Sequence, residues 1–213
     1  MDAKQIALVA VLSALGTVLS AISLGVVPIV PNVALDLSHV ATFVAAIFGG
    51  PLMGGIVGLL GGIYAGYYFG FGSTSGLGFL SLIGIPIGKA MTGLVAGFLY
   101  KRFKLGSGSG RSIYAIPATL LAYVPESLYT VFYFLYVVTL VNIPSMFFMI
   151  PLVIPKGWLE IAVMSILMSA LAGNKGFIEA VNRLFYLQKS KKQIRASETV
   201  DYFEVRSKDF FSI

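Results

Sequence analysis

The sequence predicts an all-α membrane protein: a six-transmembrane-helix bundle with both termini cytoplasmic and an amphipathic surface helix near the C-terminus. Three observations predict it. Of 213 residues, 57% are hydrophobic and only 11% charged, with a mean hydropathy of +0.89, where a soluble domain carries about 25% charged residues. At about 20 residues per span, about six helices fit before the polar tail. The three connections predicted to face outward hold no Lys or Arg, whereas the loop at 101–111 and the tail hold most of them, the asymmetry that places basic loops inside. The expected location is the cell membrane, multi-pass.

The first helix is expected over Ile6–Val27. It is longer than a signal-peptide core and further spans follow, so it is retained. Ala3, Ala7, Ala10, Ala14 and Ala21, with Thr17 between, mark a small-residue face suited to another helix. Pro28 and Pro31 then break the helix into an outer loop over 27–32. A second helix is expected from near Leu35 to the turn Gly49, Gly50 and Pro51. The third carries Gly54, Gly58, Gly62, Gly66 and Gly70 four apart, along one slowly drifting face. Glycine costs about 1 kcal/mol against alanine in a helix, so the ladder implies close approach of a second backbone. Phosphate cradling is the other use of such glycines, but this run lacks the P-loop lysine.

The loop GFGSTSG leads to a fourth span over 77–100 with Pro86 and Lys89, which ends at the basic connection of Lys101, Arg102, Lys104 and Arg111. A fifth span is expected over 113–141 with Pro117 and Pro125, an apolar outer connection over 142–154, and a sixth span over 155–171. Three units follow from this: a transmembrane domain over 1–173, an interfacial amphipathic helix over 174–187, and a basic, poorly ordered cytoplasmic tail over 188–213. In the interfacial segment, apolar residues fall at 177, 178, 181, 184 and 185. In the tail, Lys189, Lys191, Lys192 and Arg195 favour anionic membrane lipid. These basic clusters account for the net charge of +6 by topology, so nucleic acid is not expected as a partner.

Ionisable groups within spans are expensive and mark function by default. Thr119, Tyr123, Glu126, Thr130 and Tyr133 are spaced four, three, four and three, within an arc of about 80°. Tyr129 and Tyr136 flank this stripe, giving a wall suited to a flat ring, or alternatively tyrosines that only pack and bond locally. The 1.5 Å rise puts Glu126 about 20 Å, Lys89 about 16 Å and Glu160 about 10 Å below the outer ends of their helices, so the three can meet in one cavity. Lys89 then either pairs with Glu126 or serves a ligand. Lys156 and Glu160, one turn apart, form either an interfacial salt bridge or a ligand clamp. Asp36 and His39 share a face at the outer mouth of the second helix, where capping is the favoured role.

No catalytic constellation is present. The chain has no Cys and one His, which excludes thiolate chemistry and any site needing two histidines, and no HExxH or Walker motif occurs. Ser73 and Ser75 lie in no nucleophile motif, so a dyad with His39 would rest on availability alone. Neither an enzyme nor a cofactor or metal site is expected.

The alanine-faced first helix (IALVAVLSALGTVLSAI), the proline-bearing outer loop and the run LDLSHVATFVAAIFGGPLMGGIVGLLGGI together resemble the S components of energy-coupling factor (ECF) transporters. The resemblance covers Ala3 to about Gly66 by motif and the remainder by topology. It implies capture of a vitamin or similar micronutrient from outside, with uptake driven by a separate transmembrane T subunit and two ATPases. It also implies docking of the T subunit on the alanine face, here Ala7, Ala10 and Ala14. The implied ligand position, near the outer side among the later helices, agrees with a pocket built from Lys89, Tyr123, Glu126, Thr130, Tyr133, Lys156 and Glu160. Such a lining suits a compact, flat, polar molecule such as a flavin, a pterin or thiamine. The competing reading is a stand-alone secondary transporter or channel, for which the two halves show no convincing internal repeat.

Overall fold

The computed structural model describes residues 1, 3–26, 28–30, 33–34, 36–72, 77–105, 112–138, 148–181 and 183. The parts of the predicted loops at 73–76 and 106–111, the stretch 142–147 of the last outer connection, and the tail beyond 183 lie outside the described residues.

Helix α1 is Ala3–Val26. A short antiparallel ribbon follows, β1 (Pro28–Val30) paired with β2 (Val33–Ala34), so the loop expected at 27–32 is extended and paired rather than irregular. Val30 and Val33 are β-branched and Pro28 fixes φ, and both features favour extended backbone. The next helical stretch, His39–Gly72, is broken at Gly50, whose φ of 78° and ψ of −167° are not helical. Its two arms are α2 (39–49) and α3 (51–72). They fold back on each other: a Cβ on Gly54 would lie 2.8 Å from the Ala46 methyl, and Gly16 of α1 faces both Ala41 and Gly61. Gly50 supplies the positive φ that this reversal needs, and Pro51 starts the returning helix at a position where a missing N–H costs nothing.

Helix α4 is Phe79–Arg102. Helix α5 is Ala115–Phe132, entered through a 3₁₀ turn at Ser112–Tyr114 and continued by a π turn at Tyr133–Val137. Helix α6 is Ile150–Gly173 and begins five residues before the expected start. Pro151 occupies its first turn, where proline is tolerated, so the prolines of the outer connection initiate this helix instead of delaying it. Residues 175–181 are again helical, within the segment expected to be amphipathic.

The six segments α1 to α6 therefore alternate in direction, but among the described residues five helices are long enough to cross a bilayer. The exception is α2. Its 11 residues span about 16 Å, half of a hydrocarbon core about 30 Å thick. The expected second span, begun near Leu35, is thus half a span, and its N-terminus starts at the middle depth of the bundle. The large apolar side chains turned outward, among them Phe98, Leu128 and Ile166, are the lipid-facing coat of a membrane protein. The inner apolar core packs Phe43, Tyr100, Ala118, Ala122, Ile161, Met164 and Met168 between α2, α4, α5 and α6.

The glycine ladder is the seam of the bundle. Gly54 faces the Gly93 carbonyl, Gly58 that of Lys89, Gly62 the Pro86 Cα, Gly66 Leu82 and Gly70 the Gly78 carbonyl. The descending partner numbers describe α3 and α4 packed antiparallel with backbones in contact, which only small residues permit. α4 carries a second set: Gly84 receives the Tyr133 ring, and Gly88 receives the Glu126 stem and Tyr129. The same helix thus meets α3 through one glycine face and seats the polar stripe of α5 on another.

A methyl group added at Gly58 would strike the Lys89 carbonyl, whereas one added at Gly25 meets nothing within 4 Å. Gly58→Ala is therefore expected to destabilise the protein by about 1–3 kcal/mol or more through overpacking, and Gly25→Ala to be neutral or stabilising. Thermal unfolding in mild detergent compares the two, and equal midpoints would refute the backbone seam.

Candidate functional site

Counting from the helix ends remote from the basic loop, Lys89 is ten residues from Phe79, Glu126 eleven from Val137 and Glu160 ten from Ile150. Each is therefore about 15–17 Å deep, near the middle of the membrane. The break before α2 brings Asp36, Ser38 and His39 to the same level. All are buried. Around them lies a cavity of about 160 Å³ in the half of the bundle away from Lys101 and Arg102.

All seven residues singled out for a ligand, Lys89, Tyr123, Glu126, Thr130, Tyr133, Lys156 and Glu160, line this cavity. Asp36 and His39 line it too, which corrects the expectation that they sit at the outer mouth as a cap: Ser38, not either of them, occupies the N-cap, and no side chain caps the helix. The spacing of Asp36, Ser38 and His39 in an otherwise apolar stretch was the available signal. What the spacing lacked was the depth, which depends on the short length of α2. Tyr136 is 60% exposed, pairs with Phe132 on the lipid side and is not part of the wall. Thr119, the inner end of the stripe, bonds the Tyr100 hydroxyl instead of facing the cavity.

The charges are organised in pairs. Lys89 Nζ donates to Asp36 Oδ2 and to Ser38 Oγ, so its carboxylate partner is Asp36 and not Glu126. The reason is geometric: the Lys89 backbone abuts Gly58 and its aliphatic stem runs past Gly62, which directs the ammonium toward the break before α2. Lys156 Nζ lies 2.9 Å from Glu160 Oε1, and the same oxygen accepts the Asp36 N–H at 2.6 Å. The remaining donors of the break are also satisfied: Leu37 N–H donates to Ser23 Oγ of α1 at 3.2 Å and Ser38 N–H to Asp36 Oδ1 at 3.0 Å. Non-helical backbone at membrane depth is tolerated only where such partners exist.

Glu126 is held differently. Thr92 Oγ1 donates to its Oε2, and His39 Nε2 lies 3.7 Å from its Oε1, too far for a hydrogen bond. The Thr130 hydroxyl donates to the Glu126 carbonyl at 2.8 Å. The aromatic wall is fixed by contacts behind it. The Tyr123 ring stands edge-on to both His39 and Trp158, at centroid distances of 6.2 and 5.4 Å, with its hydroxyl against Gly157. Trp158 in turn donates to Ser127 Oγ at 3.1 Å. Tyr129 and Tyr133 lie 5.8 Å apart with rings tilted by 39°. Apolar walls with a few fixed polar groups are the usual make-up of a small-molecule site. Among the described residues no group of three or more metal-ligating side chains converges.

If Asp36 is the partner of Lys89, Lys89→Met alone strands a buried carboxylate and is expected to cost about 3–5 kcal/mol. Adding Asp36→Asn should restore a large part of that loss, whereas adding Glu126→Gln should not. Thermal midpoints of the two double mutants decide, and rescue by Glu126→Gln alone would reverse the assignment.

The solvent-side face of α1 bears on the second expected site. Ala7, Ala10 and Ala14 are exposed, whereas Val9, Leu12, Ser13, Gly16 and Ser20 on the opposite face are buried against the bundle. The alanine face is thus turned away from the protein's own helices.

Comparison with known proteins gives one assignment. No curated protein and no solved structure matches the chain. The family described as "ECF transporter, substrate-specific component" matches residues 4–172, a stretch that takes in all six helical segments almost entire, the cavity between them and the outward-turned alanine face. The chain belongs to the substrate-specific components of ECF transporters, and is a multi-pass membrane protein of that family.

Proposed function

We propose that the chain captures a vitamin or related micronutrient from the outer side of the cell membrane and hands it to a transmembrane T subunit driven by cytoplasmic ATPases. The observation that carries this reading is the position of the cavity: apolar-walled with a few fixed polar groups, it lies mid-membrane and in the half of the bundle remote from the basic loop. With the Lys101 and Arg102 end inside, that half faces outward. Capture is then separated from energisation, consistent with a chain that has no nucleotide-binding motif.

The proposed substrate-binding residues are Tyr123, Glu126, Thr130, Tyr133, Lys156 and Glu160, joined by His39. Lys89 acts on the ligand only indirectly, because its ammonium is committed to Asp36 and Ser38. The cavity of about 160 Å³ is close in size to one that takes a single benzene ring, about 150 Å³. That size favours a one-ring compound over a three-ring flavin. The proposed docking surface for the T subunit is Ala7, Ala10 and Ala14, whose small side chains let a partner helix approach closely.

Mass spectrometry of the small molecule that copurifies in mild detergent tests the capture reading, and the expected result is a compact heterocyclic compound. Concentrative uptake by the purified chain alone in liposomes would instead make it a self-contained carrier. For orientation, Ser75→Cys should react with an impermeant thiol reagent added outside and Ser109→Cys should be protected. Ala10→Leu is expected to abolish uptake by the assembled transporter while leaving ligand affinity of the isolated chain unchanged, and lost affinity would place the alanine face in the pocket.

A further inference from the structure

The cavity holds an unmatched acid, and that imbalance specifies the charge of what it binds. Its lining carries three carboxylates, Asp36, Glu126 and Glu160, against two ammonium groups, Lys89 and Lys156. Each ammonium already balances the charge of one carboxylate: Lys89 that of Asp36 and Lys156 that of Glu160. Among the described residues no Lys or Arg is ion-paired with Glu126, whose nearest basic group is the imidazole of His39 at 3.7 Å. A single hydroxyl, that of Thr92, donates to one of its oxygens. A carboxylate has about four acceptor sites, so most of its capacity is open. At mid-membrane depth, such a deficit is costly unless a partner supplies the donors.

Two further groups show that the cavity is left open to a ligand. His39 Nδ1 and the Tyr133 hydroxyl are buried without a hydrogen-bond partner, and both residues line the cavity beside Glu126. The rings of Tyr129 and Tyr133 stand on the same wall. Aromatic faces attract cations by their quadrupole, and a carboxylate prefers paired N–H donors. Acid and tyrosine faces therefore share one ligand preference, while His39 Nδ1 and the Tyr133 hydroxyl can bond either a donor or an acceptor on the ring.

Resting on the capture reading above, we infer that the substrate is a monocyclic cation or a heterocycle with an amidine-like pair of N–H donors, and that Glu126 is the residue that selects it. An anionic ring compound is disfavoured by the same geometry, since it would place a second uncompensated negative charge beside Glu126. Lys156 keeps N–H donors for a ligand, but its charge is already balanced by Glu160.

The test uses three probes of one shape: benzamidinium, neutral benzamide and benzoate. The chain contains a single tryptophan, Trp158, packed edge-on against the cavity residue Tyr123, so its fluorescence reports occupancy in the full-length protein in detergent. Calorimetric titration measures the same binding independently. Benzamidinium is expected to saturate the protein and to bind at least about tenfold more weakly to Glu126→Gln, the usual consequence of losing a charged hydrogen bond. Benzamide should bind weakly and respond little to the substitution, and benzoate should not saturate. Glu126→Asp keeps the charge and should retain the order of the three probes, which provides the comparison if Glu126→Gln unfolds. Benzoate binding as tightly as benzamidinium, or benzamidinium binding unchanged in a stably folded Glu126→Gln protein, would overturn the inference. A copurified anionic ring compound would do so while leaving the capture function intact.

Discussion

The constraint on which the rest of the structure depends is the need to satisfy backbone that is not helical in the middle of a membrane. Residues 36–38 precede a helix only half a bilayer long, so their N–H groups face neither water nor a continuing helix. Three elements supply what is missing: Ser23 on α1, Glu160 on α6, and the Asp36 side chain itself, held by Lys89 on α4. The ammonium balances the charge of a residue that is needed first as a hydrogen-bond acceptor. Breaking that pair removes more than an ion pair, because it loosens the segment that carries His39 into the cavity.

That pairing is itself possible only because of glycine. Lys89 emerges from α4 where the helix touches Gly58, and its stem passes over Gly62. A larger residue at either place would push α4 outward and withdraw the ammonium from Asp36. The glycines therefore do two things at once: they bring α3 and α4 into backbone contact, and they clear a path for a long polar side chain. On α4, Gly84 and Gly88 repeat the device for Tyr133 and Glu126. Costly as glycine is in an isolated helix, at Gly58, Gly62 and Gly84 a Cβ has no room, and at Gly88 it would press on the Glu126 stem at 3.3 Å.

The site divides into a part that is built and a part that is left open. The pairs Asp36 with Lys89 and Glu160 with Lys156 balance their own charges and, with the Asp36 N–H bond to Glu160, tie α4 and α6 to the break. Glu126, His39 and Tyr133 are positioned by packing yet keep unused hydrogen-bonding capacity. Binding sites commonly divide in this way, since the supporting groups must be fixed before the ligand arrives. Beside this site, α1 carries an alanine face that none of the described helices covers.

The sequence by itself determined the features that repeat along one helix. Composition and basic-loop asymmetry define a membrane bundle, the four-residue glycine period defines a contact face, and the stripe from Tyr123 to Tyr133 defines a polar wall, because all of these need only the helical repeat to be read. The four-residue spacing of Gly84 and Gly88 carried no such reading, because their role required knowing which helix α4 meets. The tertiary structure alone decided that α2 is half a span, that Asp36 and His39 lie beside Glu126, and that Lys89 turns to Asp36. Those outcomes depend on where a chain reversal at Gly50 sets the depth of the preceding residues and on the register between helices. Neither leaves a periodic mark in the sequence, because a partner across a helix interface is chosen by distance in space and not by spacing along the chain.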